Sequence, residues 1–88
     1  MKTEFLKQFY KDLDKLTVES VKNDVADTIE NVEAATKTTD IKGLKKLTGY
    51  KYAYRIKIRD YRIGVFIENG IIEFARVAHR KEIYRIFP

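Results

Sequence analysis

Residues 52–80, "YAYRIKIRDYRIGVFIENGIIEFARVAHR", decide the fold. Apolar and polar side chains alternate through this stretch, and a period of two is typical of strands with one buried face. Asn69-Gly70 interrupts the alternation and is the dipeptide that two-residue type I′ hairpin turns favour. Arg59-Asp60 is the candidate for a second two-residue turn. The stretch therefore predicts three antiparallel strands joined by tight turns.

Before this stretch the apolar spacing changes to three and four residues, which predicts helices. The stripe of the first helix consists of Phe5, Phe9, Leu13 and Leu16. The stripe of the second consists of Val18, Val21, Val25, Ile29 and Val32. Thr17 is the expected N-cap of the second helix, and residues 2–5 give only weak support for a further short strand. We expect one α+β domain over residues 1–88, with an antiparallel helical hairpin on a mainly antiparallel sheet of three to four strands.

Composition excludes several classes of protein. The chain has 88 residues, no cysteine, one histidine and no HExxH or DxDxDG pattern, so we expect no disulfide, no protein-held metal and no cofactor. No apolar run approaches the roughly 20 residues that span a bilayer, and charges interrupt the opening "MKTEFLKQFY", so we expect neither a membrane segment nor a secretory signal. The expected compartment is the cytoplasm.

Charge is divided unevenly along the chain. Residues 1–40 carry six lysines and nine acids, a net charge of −3, whereas residues 41–88 carry six lysines, six arginines and four acids, a net charge of +8. Arginine favours planar, bidentate phosphate contacts, so this half predicts a polyanionic partner. The alternative is the solvated charged surface that any small soluble domain carries.

The two turns determine which residues lie opposite each other. They place Lys57 opposite Arg62, and Gly64 between Arg55 and Ala75. Opposite residues share a face of the sheet. The face expected to cover the core comprises Tyr52, Tyr54, Ile56, Ile58, Tyr61, Ile63, Val65, Ile67, Ile72, Phe74 and Ala78.

The other face predicts a site. It gathers Arg55, Lys57, Arg62 and His79 around Gly64 and Ala75, whose lack of bulk leaves a floor for a ligand, with Val77 opposite Arg62. A bulge before His79 would bring Arg80 onto this face instead.

The chemistry that these groups suit is RNA cleavage through the 2′-hydroxyl. Arg55 and Arg62 could hold the phosphate, and Lys57, crowded by two arginines, is a candidate base. Histidine exchanges protons near neutral pH, so His79 is a candidate acid or base. Tyr84 could donate a hydrogen bond or stack on a base. In the structural alternative, His79 is an ordinary polar strand end, and Tyr84 packs a C-terminal turn together with Ile83 and Phe87.

Residues 41–88 resemble the C-terminal half of RelE/ParE-superfamily toxins from bacterial toxin–antitoxin systems. The elements that carry the resemblance are "YRIKIRDYRIGV" and "HRKEIYR". The RelE branch implies a metal-independent endoribonuclease that enters the ribosomal A site and cuts mRNA. It also implies that the partners are a cognate antitoxin, the ribosome and mRNA, and that a membrane is not among them. The toxin alone is expected to be monomeric.

The resemblance also implies site residues. The catalytic set comprises Lys57, Arg62, His79, Arg80 and Tyr84. Arg55 also matches a family position, and together with Arg59, Lys45 and Lys46 of the basic half it makes up the expected RNA-binding set. The ParE branch, which inhibits DNA gyrase, is the alternative, and a degenerate toxin that only binds an antitoxin is a third hypothesis.

Overall fold

Five strands form one sheet, and two helices cover one of its faces. The structure is a computed structural model that describes all 88 residues. In chain order the elements are β1 (Lys2–Phe5), α1 (Lys7–Lys15), α2 (Glu19–Ala34), a 3₁₀ turn (Thr38–Asp40), β2 (Leu44–Lys46), β3 (Ala53–Ile58), β4 (Tyr61–Glu68), β5 (Ile71–His79) and α3 (Ile83–Ile86). The sheet order is β1-β5-β4-β3-β2, antiparallel except for β1 on β5. The predicted α+β class is confirmed, with five strands instead of three to four.

The meander of β3, β4 and β5 is confirmed together with both turns. Arg59 and Asn69 each adopt a φ of 52°, and Gly70 follows with 74°. Asn69 and Gly70 thus have the left-handed values that a type I′ turn needs at both central positions, whereas in the Arg59-Asp60 turn only the first central residue has a positive φ. The predicted pairing of β3 with β4 is correct, including Lys57 opposite Arg62.

The two added strands are short and lie at the sheet edges. β2 falls within the basic segment before the meander and pairs with β3. β1 takes Phe5 out of the predicted first helix, which begins at Lys7. Phe5 nevertheless packs against the sheet as an apolar residue should, because its ring stacks on Phe74 with centroids 5.0 Å apart. No period can be detected in strands of three and four residues.

Helices α1 and α2 bury their apolar stripes on the sheet. Phe9, Val25 and Val32 are fully or almost fully buried, and they belong to one core with Ile56 and Ile63. The prediction of Thr17 as the N-cap of α2 was wrong. Val18 occupies that position in extended geometry, and no side chain caps the first turn of the helix. None of the helices is long and apolar enough to cross a bilayer.

A β-bulge changes the register of β5. Val65 pairs with Phe74 as expected, but the next residue back, Gly64, pairs with Arg76, so Ala75 is the extra residue. A bulge moves every later side chain of its strand to the opposite face. The predicted pairs Gly64–Ala75 and Arg62–Val77 are therefore wrong.

The corrected register reverses three assignments. Val77 lies opposite Ile63 in the main core. Ala78, expected in that core, lies opposite Arg62, and His79, expected beside Arg62, lies opposite Tyr61. Tyr52 also differs from expectation, since it precedes β3 and is 38% exposed.

The floor expected at Gly64 and Ala75 is filled. Helix α3 lies on the face opposite α1 and α2, where Ile83 and Phe87 form a second buried cluster with Ala53 and Ala75. A Cβ placed on Gly64 would lie 2.6 Å from the Phe87 ring. Gly64 is therefore small to admit Phe87, and the prediction of an open ligand floor was wrong. The packing role suggested for Ile83 and Phe87 is correct.

We expect Gly64→Ala to destabilise the domain by about 1–3 kcal/mol, because the added methyl group overpacks against Phe87. Urea unfolding measures the change. The same substitution in a Phe87→Ala background has room for its methyl group and should cost clearly less. Equal costs in the two backgrounds would show that Phe87 does not constrain Gly64.

Candidate functional site

Four cations from three neighbouring strands lie on the face opposite α1 and α2. We call them the cationic face: Lys45, Arg55, Lys57 and Arg62. Lys45 lies directly opposite Arg55, and Lys57 directly opposite Arg62. Directly opposite residues have Cβ atoms about 4.5–5.5 Å apart. The β2–β3–β4 register thus brings together side chains that are up to 17 residues apart in the sequence.

None of these four cations has an acidic partner. The ion pairs of the chain join Arg59 to Asp24, Arg76 to Asp12 and Arg80 to Asp60. Like charges placed opposite each other in a sheet destabilise it. A concentration of unpaired charge of one sign is the arrangement that a bound anion relieves, and it is common at functional sites.

Backbone carbonyl groups orient the two arginines. Arg62 Nη1 donates hydrogen bonds to the carbonyls of Arg59 (2.9 Å) and Tyr61 (2.8 Å). Arg55 Nη1 donates to the carbonyl of Gly43 (2.6 Å). In each guanidinium, Nε and Nη2 make no hydrogen bond within the chain. Each can therefore present a pair of donors to two oxygens of one phosphate.

His79 and Arg80 lie on opposite sides of the sheet. His79 lies opposite Tyr61 on the helix side of the sheet, with ring centroids 5.4 Å apart, and its Nδ1 accepts the Lys81 backbone N–H (3.2 Å). Since successive residues alternate, Arg80 follows on the side of the cationic face. Its backbone N–H donates to the Asp60 carbonyl (2.7 Å), and its Nε lies 3.9 Å from the exposed Asp60 carboxylate.

Tyr84 stands on α3, whose buried residues face the sheet. Its side chain is 56% exposed. Because Phe87 of the same segment covers Gly64, Tyr84 lies on the same side of the sheet as Arg55. The structural alternative, in which Tyr84 packs the C-terminal turn, is thus not what the structure shows.

Two of the four expected RNA-binding residues lie away from this face. Arg59 Nε donates to Asp24 of α2 (2.6 Å), so its side chain is turned towards the helices. Lys46 lies opposite Tyr54, which packs on the main core, and so belongs to the helix side at the sheet edge. Lys45 and Arg55 are on the face as expected.

Sequence reasoning missed a buried ion pair beside the site. Asp12 of α1 is 6% exposed and accepts hydrogen bonds from Arg76 Nε (2.8 Å), Arg76 Nη2 (3.2 Å) and the Val77 backbone N–H (3.0 Å). Arg76 Nη1 also lies 3.5 Å from the Ile86 carbonyl of α3. The pair therefore connects α1, the bulge of β5 and α3. An acid just off the apolar stripe of a helix was its only sequence signal.

Burial alone would raise the pKa of Asp12. The hydrogen bonds from Arg76, Val77 and Gln8, together with the positive charge of Arg76, outweigh that effect and hold the pKa below its ordinary value of 3.8. Asp12 is consequently ionised at neutral pH. It acts as a structural anion that neutralises Arg76, and it leaves the charges of the cationic face uncompensated.

Comparison with known proteins agrees with the fold. The family described as "ParE toxin of type II toxin-antitoxin system, parDE" matches residues 3–84. Toxin RelE3 of Methanocaldococcus jannaschii is 39% identical over 89 residues, covering 100% of both chains.

Solved structures give the same result. The toxin chain in the RelB-RelE antitoxin-toxin complex from Methanococcus jannaschii superimposes with a TM-score of 0.82 at 34% identity, covering 97% of this chain and 99% of that chain. The archaeal RelE-RelB complex from Pyrococcus horikoshii contains the same fold, with a TM-score of 0.72 at 19% identity over 93% and 97% of the two chains. Because the family match and the RelE3 relative each span nearly the whole chain, the protein belongs to the RelE/ParE superfamily of toxins of type II toxin–antitoxin systems.

Proposed function

We propose that this toxin is an endoribonuclease that cuts mRNA on the ribosome and thereby stops translation. The observation that carries the proposal is the cationic face, where Arg55, Lys57 and Arg62 meet across two strands without an acidic partner. Phosphoryl transfer needs positioning and charge stabilisation above all. The guanidinium groups of Arg55 and Arg62, each with two unused nitrogens, supply both.

The reaction is an attack of the ribose O2′ on the adjacent phosphorus. The O2′–P bond forms and the P–O5′ bond breaks, which leaves a 2′,3′-cyclic phosphate and a 5′-hydroxyl. A base takes the proton of the 2′-hydroxyl, and an acid returns a proton to O5′, so the step is balanced without an added co-reactant. The two arginines stabilise the extra negative charge on the phosphorane oxygens.

The roles follow from position. Lys57 lies opposite Arg62, next to the phosphate that Arg62 would hold, and in its neutral form it is the proposed base. Arg80 adds positive charge from the end of β5, and Tyr84 is exposed on α3 to stack on a base or to donate a hydrogen bond. His79 was a candidate for proton transfer, but its position opposite Tyr61 makes it a structural residue in this proposal.

The proposed partners follow from charge and from the relatives. The solved relatives are named as complexes of RelE with RelB, which supports a cognate antitoxin for this chain. An acidic segment of that antitoxin would neutralise the cationic face and exclude RNA from it. We propose that the free toxin is a monomer that meets ribosome-bound mRNA in the cytoplasm.

Mapping of mRNA 5′ ends after induction tests the proposal. We expect growth arrest together with new 5′ ends at fixed positions within translated codons. The new 5′ ends should be lost in a reporter mRNA whose own translation initiation is blocked. Intact mRNA with damaged DNA and defective supercoiling would instead support the gyrase-directed alternative. The absence of both growth arrest and mRNA cuts would support a degenerate toxin that only binds its antitoxin.

A further inference from the structure

The loop between β2 and β3 exposes two aromatic rings among lysines. We call residues 47–52, "LTGYKY", the tyrosine loop. Tyr50 is 52% exposed and Tyr52 is 38% exposed. Lys51 Nζ lies 5.4 Å from the centroid of the Tyr52 ring. No acidic residue occurs between positions 41 and 59, so the charged residues nearest to these rings in the sequence are all basic.

Backbone hydrogen bonds hold the loop in a defined shape. The Leu47 N–H donates to the Ala53 carbonyl (2.9 Å), and the Tyr50 N–H donates to the Leu47 carbonyl (3.3 Å). The Ile67 N–H of β4 donates to the Tyr52 carbonyl (2.9 Å). A ligand that meets these rings therefore does not have to order the loop backbone, which is a cost that weakens binding by flexible segments.

The exposed groups suit nucleotides better than a protein segment. A bound amphipathic helix needs an apolar groove, but Leu47, the aliphatic residue of the loop, packs against the second buried cluster. The exposed groups that remain are flat rings and ammonium groups. Every unpaired base can stack on an aromatic ring, and lysine neutralises phosphate, so this combination is typical of single-strand binding surfaces.

We propose that the tyrosine loop is a binding site for single-stranded RNA, in which Tyr50 and Tyr52 stack on bases while Lys46 and Lys51 contact phosphates. Lys46 and Lys45 are consecutive in β2, so the loop continues the strand that contributes Lys45 to the cationic face. The site lies outside the residues proposed for cleavage. It goes beyond the proposed function, because it assigns RNA binding to a separate surface.

Fluorescence anisotropy of a labelled 2′-O-methyl RNA strand measures this binding without any cleavage, since the strand lacks the attacking hydroxyl. We expect Tyr50→Ala and Tyr52→Ala each to weaken binding about fivefold or more. Neither should alter the affinity for an abasic strand of equal length, which keeps the phosphates. Tyr50→Phe keeps the ring and should retain the affinity.

Two further variants separate stacking from charge. Tyr10→Ala removes a tyrosine of equal exposure (53%) on α1 and should leave binding unchanged. Lys51→Ala should weaken binding to both strands and reduce the slope of log affinity against log salt by about 0.7. Thermal unfolding confirms that each exposed substitution leaves the fold intact.

The proposal is overturned if the Tyr50→Ala, Tyr52→Ala double variant binds the RNA strand as tightly as the unsubstituted chain. Equal losses on the RNA and abasic strands also overturn it, because they would not depend on bases. Unchanged RNA binding with weakened antitoxin binding would make the loop a protein contact. Binding is measured without cleavage, so the two proposals can fail separately. If the protein cuts mRNA but fails the binding test, only the loop site is refuted. If it passes the binding test but does not cut mRNA, only the proposed nuclease activity is refuted.

Discussion

Substitution of Arg62 by alanine is expected to abolish growth arrest and to reduce mRNA cleavage by about 10²–10³-fold, the usual effect of losing one group that stabilises transition-state charge. The Arg62 guanidinium donates hydrogen bonds to the carbonyls of Arg59 and Tyr61, and Arg62 lies opposite Lys57 in the sheet. Quantified cleavage of a reporter mRNA on ribosomes measures the loss.

Two companion variants make the Arg62 result specific. Arg62→Lys keeps the charge but loses the two-nitrogen fork, so its activity should lie well below that of the unsubstituted protein. His79→Ala is the matched control, since His79 lies on the helix side, and it should retain most of the activity. Full toxicity of a folded Arg62→Ala protein, or inactivity of a folded His79→Ala protein, would contradict the proposed site.

Substitution of Asp12 by asparagine is expected to lower the free energy of unfolding by about 3 kcal/mol, because it leaves a largely buried arginine without its counter-charge. Asp12 also accepts the Val77 N–H at the bulge, where β1 no longer pairs with β5. Urea unfolding at neutral pH measures the change. Asp14→Asn on the same helix is the control, because Asp14 is exposed and should change stability by less than about 0.5 kcal/mol.

Acid should remove the contribution of Asp12 in a defined direction. Its pKa is lowered in the folded chain, so the unfolded chain binds the proton more tightly. The stabilisation is complete above the ordinary value of 3.8 and is lost as the pH falls through the lower folded value. The stability difference between the unsubstituted protein and Asp12→Asn should therefore shrink in acid. A difference that stays constant would show that the carboxylate charge is not its source.

The meander could be predicted because its signals are local. Alternation identifies β3 to β5, Asn69-Gly70 places one turn, and register then follows by counting. That reasoning placed Arg55, Lys57 and Arg62 on one face, which the structure confirms. Their catalytic roles stay predictions.

The errors have one main cause, which is that a β-bulge has no reliable sequence signal. The residues "EFARVAH" do not alternate strictly, because Phe74 and Val77 are three residues apart, and counting with a period of two placed His79 on the wrong face. Gly64 had two explanations, room for a ligand or room for a side chain. Only the tertiary structure shows that the Phe87 ring takes that room. The Asp24–Arg59 pair joins residues distant in the sequence and could not be predicted either.

The proposed function requires that RNA is cut by its own 2′-hydroxyl on the cationic face. The most direct test gives the purified toxin to ribosomes carrying an mRNA with a single 2′-deoxynucleotide immediately before the mapped cut. We predict that the all-ribose mRNA yields a 2′,3′-cyclic phosphate and a 5′-hydroxyl, and that the deoxy mRNA stays intact at that position. Cleavage of the deoxy mRNA at the same site, or an all-ribose mRNA that remains whole, would contradict the account.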